Sequence, residues 1–350
     1  MLNKNLYIPA EWDEQDAILM AFPHKDSDWA YMLEEARNCF TKIIKTITST
    51  KQHVILIVND DEDYSFANQN FNKYVHPAVI PFNDTWTRDY GPIFVKAGNN
   101  LTCIDFKFNG WGLKFAADKD NLVNGHLSCY NIFDKEVEYQ NKLNFVLEGG
   151  SIESDGKGTI LTTSECLLSP NRNGEWNRFE IKSYLKKTLG ANRILWLNNG
   201  KLIGDDTDGH IDTLARFCDD KTITYVKCTN KDDQHYLSLY AMEEELKSFV
   251  DSEGKHYKLV PLPLPYPILC DGKILPATYC NFLIINKAVL VPIYKVSEDK
   301  EALKIISSLF PNRKIIGIDC RTLIKQYGSL HCATMQLPKG SLSFFNFRKK

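Results

Sequence analysis

Apolar positions along this chain follow two patterns. Five segments alternate or run apolar on both sides of a short polar turn, which marks a β-hairpin. They are Ile93 to Phe106 across Ala97-Gly98-Asn99-Asn100, Ser151 to Thr163 across Asp155-Gly156-Lys157-Gly158, Asp212 to Val226 across Asp219-Asp220-Lys221, Cys280 to Tyr294 across Asn286-Lys287, and Cys332 to Phe345 across Pro338-Lys339-Gly340. Between them, Leu33 to Thr48, Trp176 to Leu189, His235 to Val250 and Glu298 to Leu309 repeat with helical period. In the third of these, Leu237, Tyr240, Leu246 and Phe249 are expected to form the buried side, with Glu243, Glu244 and Glu245 as a charged stretch. Strands and helices therefore interleave, and an α/β chain is predicted.

The hairpins recur at about 60 residues although the segments share almost no sequence, so the period rests on hairpin placement alone. Five ββαβ-type units of that size would make a closed, pseudo-fivefold α/β propeller around a central channel. The plainer alternative is a mixed sheet whose hairpins happen to be evenly spaced. No Ser/Gly-rich linker divides the chain, so residues 1–350 read as a single domain.

Charge narrows the partners. The 42 Lys and Arg nearly balance the 44 Asp and Glu over 350 residues, so there is no global field for nucleic acid or an anionic membrane. The longest apolar runs, such as Val54 to Val58 and Ala288 to Ile293, fall far short of the roughly 18 residues a membrane span needs. No apolar stretch precedes Glu11, Asp13 and Glu14, so a cytoplasmic protein without a secretory signal is expected. The ten Cys are scattered without CxxC, which fits free thiols better than a disulfide framework.

Polar clusters stand at or just before the hairpins: Trp86 to Pro92 before the first, Leu147 to Gly150 before the second, Asp205 to Asp212 before the third, and Ser329 to Cys332 at the fifth. Glu148 follows Asp89 by 59 residues, His210 follows Glu148 by 62, and Cys332 follows His210 by 122, two steps of 61. One position per unit thus holds Asp89, Glu148, His210 and Cys332, while the fourth unit, near Asp271 to Tyr279, offers nothing obvious. In a closed arrangement these positions converge on the axis. Each residue alone has a plain structural explanation: an ion pair for Asp89, a satisfied buried acid for Glu148, a core imidazole for His210, a small hydrophobe for Cys332.

In an extended segment His210 and Asp212 would share a face. By the same rule His331 would face away from Cys332, leaving His210 as the better base. A calcium loop through Asp205 to Asp212 fails, because Ala215 would take its final ligand position. Zinc lacks HExxH and CxxC spacing and is a minor alternative.

One thiol, one imidazole and three carboxylates suit a cation better than an ester or amide. A guanidinium is planar, permanently charged and accepted bidentately by carboxylates. Asp89 and Asp212 would grip it, Cys332 would attack its carbon, and His210 would protonate departing ammonia and then activate water. Glu148 would pair with His210. Trp86 could lie over the cation or its alkyl chain, although a core Trp is the more ordinary reading. A catalytically silent guanidinium-binding protein would keep Asp89 and Asp212 without needing Cys332.

The motifs Trp86 to Pro92 (WTRDYGP), Leu147 to Ile152 (LEGGSI), Thr163 to Asn173 (TSECLLSPNRN), Asp205 to Phe217 (DDTDGHIDTLARF) and His331-Cys332, with Pro9-Ala10-Glu11-Trp12 ahead of them, resemble the agmatine deiminases and bacterial peptidyl-arginine deiminase-like proteins of the guanidino-group-modifying superfamily. The resemblance spans nearly the whole chain. It implies a five-bladed, pentein-like α/β propeller, a site of Cys332, His210, Glu148, Asp89 and Asp212, and no metal or organic cofactor. It further implies hydrolysis of a small cationic guanidine, agmatine, to N-carbamoylputrescine and ammonia on a route to putrescine. Deimination of free or peptidyl arginine and amidino transfer are the alternatives, and a homo-oligomer stays open. The flanks Tyr327-Gly328-Ser329-Leu330 and Ala333-Thr334-Met335-Gln336 lack the family's glycine-rich and Gln-rich stretches, so the group that reads the substrate's tail is not placed by sequence.

Overall fold

The computed structural model describes residues 6–343. Five sheets of one plan account for most strands: an antiparallel pair followed by a third strand parallel to the second. The first sheet runs Met335–Pro338, Gln15–Ala21, His53–Val58, Val75–Val79; the second Ile93–Ala97, Asn100–Lys107, Glu138–Val146, with Leu6–Tyr7 on its edge. The third is Ile152–Ser154, Thr159–Thr163, Arg193–Leu197; the fourth Ala215–Asp219, Thr222–Lys227, Lys258–Pro263; the fifth Leu283–Ile285, Ala288–Ile293, Lys314–Asp319. Each parallel step needs a crossover, and helices supply it: Leu33–Ser49, Arg178–Leu189, Tyr236–Ser248 and Asp299–Leu309 serve four sheets, and the short Val123–Cys129 serves the second.

Four of the five expected hairpins form where the turns placed them. The fifth does not. Met335–Pro338 pairs instead with Gln15–Ala21, Met335 opposite Leu19, so the two ends of the chain build one sheet. After the turn, Leu342 bridges to Phe133, and Phe344 and Phe345 lie outside the described residues. A turn signal cannot reveal pairing with a strand some 300 residues away.

Local chemistry explains the elements. Val54 to Val58 is buried on both faces because parallel neighbours flank it and helices cover it. Helix Leu33–Ser49 buries Ala36, Phe40, Ile43, Ile44 and Ile47, spaced three or four apart along one side. Helix Arg178–Leu189 starts at Asn177, which forms a capping box with Glu180, and stops at Gly190 in the left-handed region. The buried side of Tyr236–Ser248 differs from expectation: Leu239, Met242, Glu243 and Leu246 face inward, while Leu237 and Tyr240 are exposed. Glu243 tolerates burial because Lys227 and Lys247 meet its carboxylate at 2.9 and 3.1 Å. No helix among the described residues is long and apolar enough to cross a membrane.

Candidate active site

Each of these five sheets delivers a polar residue from the segment that leads into its hairpin or closing strand. Asp89 precedes Ile93–Ala97, Glu148 precedes Ile152–Ser154, His210 and Asp212 precede Ala215–Asp219, and Cys332 precedes Met335–Pro338. The fourth unit also contributes: Asn281 stands just before Leu283–Ile285. All six are buried.

His210 is the hub. Its Nδ1 lies 3.6 Å from Asp89 Oδ1 and its Nε2 lies 3.7 Å from Glu148 Oε2. Those separations are too long for hydrogen bonds, and both ring nitrogens and Asp212 Oδ1 lack a partner. Cys332 Sγ is 3.3 Å from Asn281 Nδ2 and 3.9 Å from Asp212 Oδ2. Asn281 Oδ1 accepts the backbone N–H of His331 at 2.9 Å and of Cys332 at 3.3 Å, so one amide both fixes the cysteine turn and faces the sulfur. Gly150 lets the groups meet. A Cβ there would stand 2.7 Å from Asp89 Oδ1 and from His210 Nδ1, closer than atoms pack, while its N–H donates to Asp89 Oδ1 at 3.0 Å.

His210 and Asp212 do converge, but through a 3-10 turn over Ile211–Thr213 and not an extended strand. His331 does lie away from the pocket that Cys332 faces, but not for the expected reason. Leu330 to Ala333 is a turn, so strand alternation does not apply. His331 Nδ1 lies 2.8 Å from Asp212 Oδ2 and its Nε2 lies 2.8 Å from Glu11 Oε2, behind the cysteine. Glu11 also accepts from Arg216, whose guanidinium reaches Glu153 and the Cys280 and Phe282 carbonyls.

Sequence reasoning passed over several of these groups. Trp111, held at φ +54° between Gly110 and Gly112, donates from Nε1 to Asp89 Oδ2 at 2.9 Å. Arg172 Nε lies 2.8 and 3.0 Å from the two oxygens of Glu148, and its Nη1 reaches Asp208 at 2.6 Å. The acidic run at 205–208 is thereby engaged: Asp208 pairs with Arg172, and Asp205 accepts from the backbone of Thr207 and Gly209. Asn281 had a signal, a polar residue between Cys280 and Phe282 at the mouth of a hairpin.

The charges set the site's protonation. Burial opposes a charged His210, yet Asp89, Cys166 and Glu148 together raise its pKa well above the usual imidazole value. Burial likewise works against Glu148, but the nearby His210 imidazole and the Arg172 guanidinium hold the carboxyl down at about 2. Burial, helped by Asp212 and Glu148, pushes Asp89 up to about 6. Burial, then Asp212 and Asp89, drive the Cys332 thiol well above its ordinary value, so the thiol is neutral in the free protein.

Among the described residues, two sets of buried groups stand close enough to share a cation: Glu148, Cys166 and His210, and Glu11, Glu153 and His331. In each, an arginine already lies on the carboxylates, Arg172 in the first and Arg216 in the second. All ten cysteines are free.

From Cys332 and Asp89 a pocket opens past the rings of Trp86 and Trp111 to Asp84, Asp206 and Asp28. Trp86 is buried against Trp29, and Gly328 lies flat on its ring, where no Cβ would fit. No lysine or arginine lines this pocket among the described residues. Burial first, then mutual repulsion with Asp28 and Asp206, pushes Asp84 up to about 7. Asp206 reaches about 6, from burial and neighbouring Asp205.

Comparison with known proteins follows the motifs. A solved structure described as a "Putative Arginine Deiminase from Porphyromonas gingivalis" is 46% identical, with 97% of this chain and 100% of that one covered and a TM-score of 0.92. A cysteine-to-serine variant of C. jejuni agmatine deiminase, solved with substrate bound, is 40% identical over 97% of each chain with a TM-score of 0.89. A Legionella pneumophila protein named "Putative agmatine deiminase" is 35% identical over 337 residues, 95% of each chain. A dimethylarginine dimethylaminohydrolase, 11% identical over 92% of this chain with a TM-score of 0.51, shares the α/β fold alone. The profile of the Porphyromonas-type peptidyl-arginine deiminase family matches residues 7–338, and the chain belongs to that family.

Proposed function

We propose that this chain is a hydrolase of guanidinium C–N bonds and that its substrate is agmatine, deiminated to N-carbamoylputrescine and ammonia. The carrying observation is the pocket with acids at both ends, Asp89 beside Cys332 and Asp84 with Asp206 at the mouth, and no basic residue lining it among the described residues. Agmatine is a dication with a guanidinium at one end and an ammonium at the other. Free arginine would set an α-carboxylate among Asp84 and Asp206, where like charges repel.

The mechanism follows from the charges. A guanidinium between Asp89 and the free Oδ1 of Asp212 offsets the two carboxylates that, with burial, hold the thiol up, so substrate arrival itself eases ionisation of Cys332, whose proton leaves to solvent through the open pocket. The sulfur attacks the guanidinium carbon. The bond to a terminal nitrogen breaks as His210, kept protonated by Asp89 and Glu148, delivers the proton, and ammonia leaves an amidino-cysteine. His210 then takes a proton from water, whose oxygen joins the same carbon while the C–S bond breaks. Asn281 donates to the sulfur as its charge appears and disappears. Trp86 and Trp111 flank the alkyl chain. Five sheets of one plan, each sending a residue to this point, fit a pseudo-fivefold arrangement about the site within one domain.

The test is ammonia release from agmatine, arginine and an arginyl peptide side by side. Agmatine is expected to be turned over with a kcat/KM at least about 100-fold above the others, the size of two charge-assisted hydrogen bonds. Equal turnover of arginine would overturn the assignment.

A further inference from the structure

We propose that His331 is a positioning residue: donating from both ring nitrogens, it pins one oxygen of Asp212 against the back of the pocket and leaves the other for the substrate guanidinium. The role rests on the function proposed above, because it concerns the carboxylate that would hold that guanidinium.

The geometry is specific. His331 is buried, with Asp212 Oδ2 at 2.8 Å from Nδ1 and Glu11 Oε2 at 2.8 Å from Nε2. Ionised carboxylates only accept, so satisfying both contacts requires a proton on each nitrogen, which is the imidazolium. Glu11 is fixed in turn by Arg216 Nη2 at 2.5 Å and by the Ile284 N–H at 2.6 Å. The second oxygen of Asp212 has no partner although it is fully buried. A carboxylate with one oxygen tied and one orphaned is a half-filled site.

The charged and titratable groups around the clamp come from several elements. Asp212 faces His331, His210 and Cys332, with Asp89 beyond His210. His331 faces Glu11 and Asp212, while Arg216, Glu153 and Arg88 surround Glu11. Burial would raise Asp212's carboxyl, but His331 overcomes it and the pKa ends below the ordinary value, so Asp212 stays charged at neutral pH. Without His331 burial has less to oppose it. The carboxyl then rises, and it loses its charge as pH falls.

Two measurements decide the matter. In ¹⁵N-histidine NMR of the wild type, both ring nitrogens of His331 are expected to carry protons in hydrogen bonds to carboxylates, and Glu11→Gln should change the Nε2 signal while leaving the Nδ1 proton in place. In kinetics, His331→Gln should move the acid limb of kcat/KM up by at least about one pH unit, with about a tenfold change carried by KM. A neutral His331 in the wild type overturns the proposal, as does a His331→Gln enzyme that is slower but keeps the wild-type pH profile. Should His331→Gln not fold, the NMR comparison of wild type and Glu11→Gln decides. A wild type inactive on every guanidine refutes the proposed function. An active wild type whose variant keeps its pH profile refutes this inference alone.

Discussion

Two neighbouring regions of this molecule use the same residue types to opposite ends. Chain neighbours are divided between them: Asp89 and Cys332 line the front pocket, while Arg88 borders a cavity behind with Glu11 and Glu153, and His331 sits against Glu11. Behind, the carboxylates are matched. Glu11 and Glu153 meet Arg216 and His331, with one nitrogen of Arg88 the exception among the arginines. In front, both nitrogens of His210 and one oxygen of Asp212 have no partner, and the thiol is held neutral by carboxylates it cannot escape. Matched charge builds a rigid wall. Unpartnered groups beside a pocket lined by carboxylates, set against that wall, are suited to a cation.

The sharpest way to break the contrast is to remove a member from each side. Cys332→Ala should lower turnover of agmatine by about 10³-fold or more, as loss of a nucleophile does, while leaving the denaturation midpoint nearly unchanged, because a small buried side chain shrinks by one atom. Arg216→Met should do the reverse to stability. It strands Glu11 and Glu153 and is expected to cost about 3–5 kcal/mol in chemical denaturation. An Arg216→Met protein as stable as wild type would show that the rear cluster is not the wall described.

A finer cut separates the two ends of the pocket. Asp84→Asn should raise KM for agmatine by about 10- to 100-fold, the size of one charge-assisted hydrogen bond, and leave butylguanidine, which has no distal ammonium, unaffected. An equal effect on both substrates would remove Asp84 from tail recognition. The smallest effect is in pH. Asp84, at about 7, is charged above that pH and neutral below it, so KM for agmatine should climb as pH falls through 7 while that for butylguanidine holds until Asp89 protonates near 6. The difference between the substrates should vanish in Asp84→Asn.

Much of this was legible without coordinates, for reasons particular residues make plain. Asp89, Glu148, His210 and Cys332 recur at one place in successive units, so their convergence could be read from spacing. Asn281 occupies the same place but carries no charge and sits between Cys280 and Phe282, so it resembles core. His331 does lie behind the pocket, but strand alternation is not the cause, because residues 330–333 form a turn, and its contact with Asp212 went unseen. Glu11, Arg172 and Trp111 find their partners across folds of the chain, 320 residues away in the case of Glu11 and His331, and nothing local announces that. The closing strand Met335–Pro338 was lost in the same way, since its partner is at the other end of the sequence.

The central claim is that Cys332 attacks a guanidinium carbon, and quenched-flow mass spectrometry reads it directly. Agmatine turnover stopped by acid should leave a mass increase equal to agmatine less ammonia on the peptide that contains Cys332, and Cys332→Ser should show neither adduct nor turnover. Turnover that persists in Cys332→Ser, or an adduct on another of the ten cysteines, would contradict it.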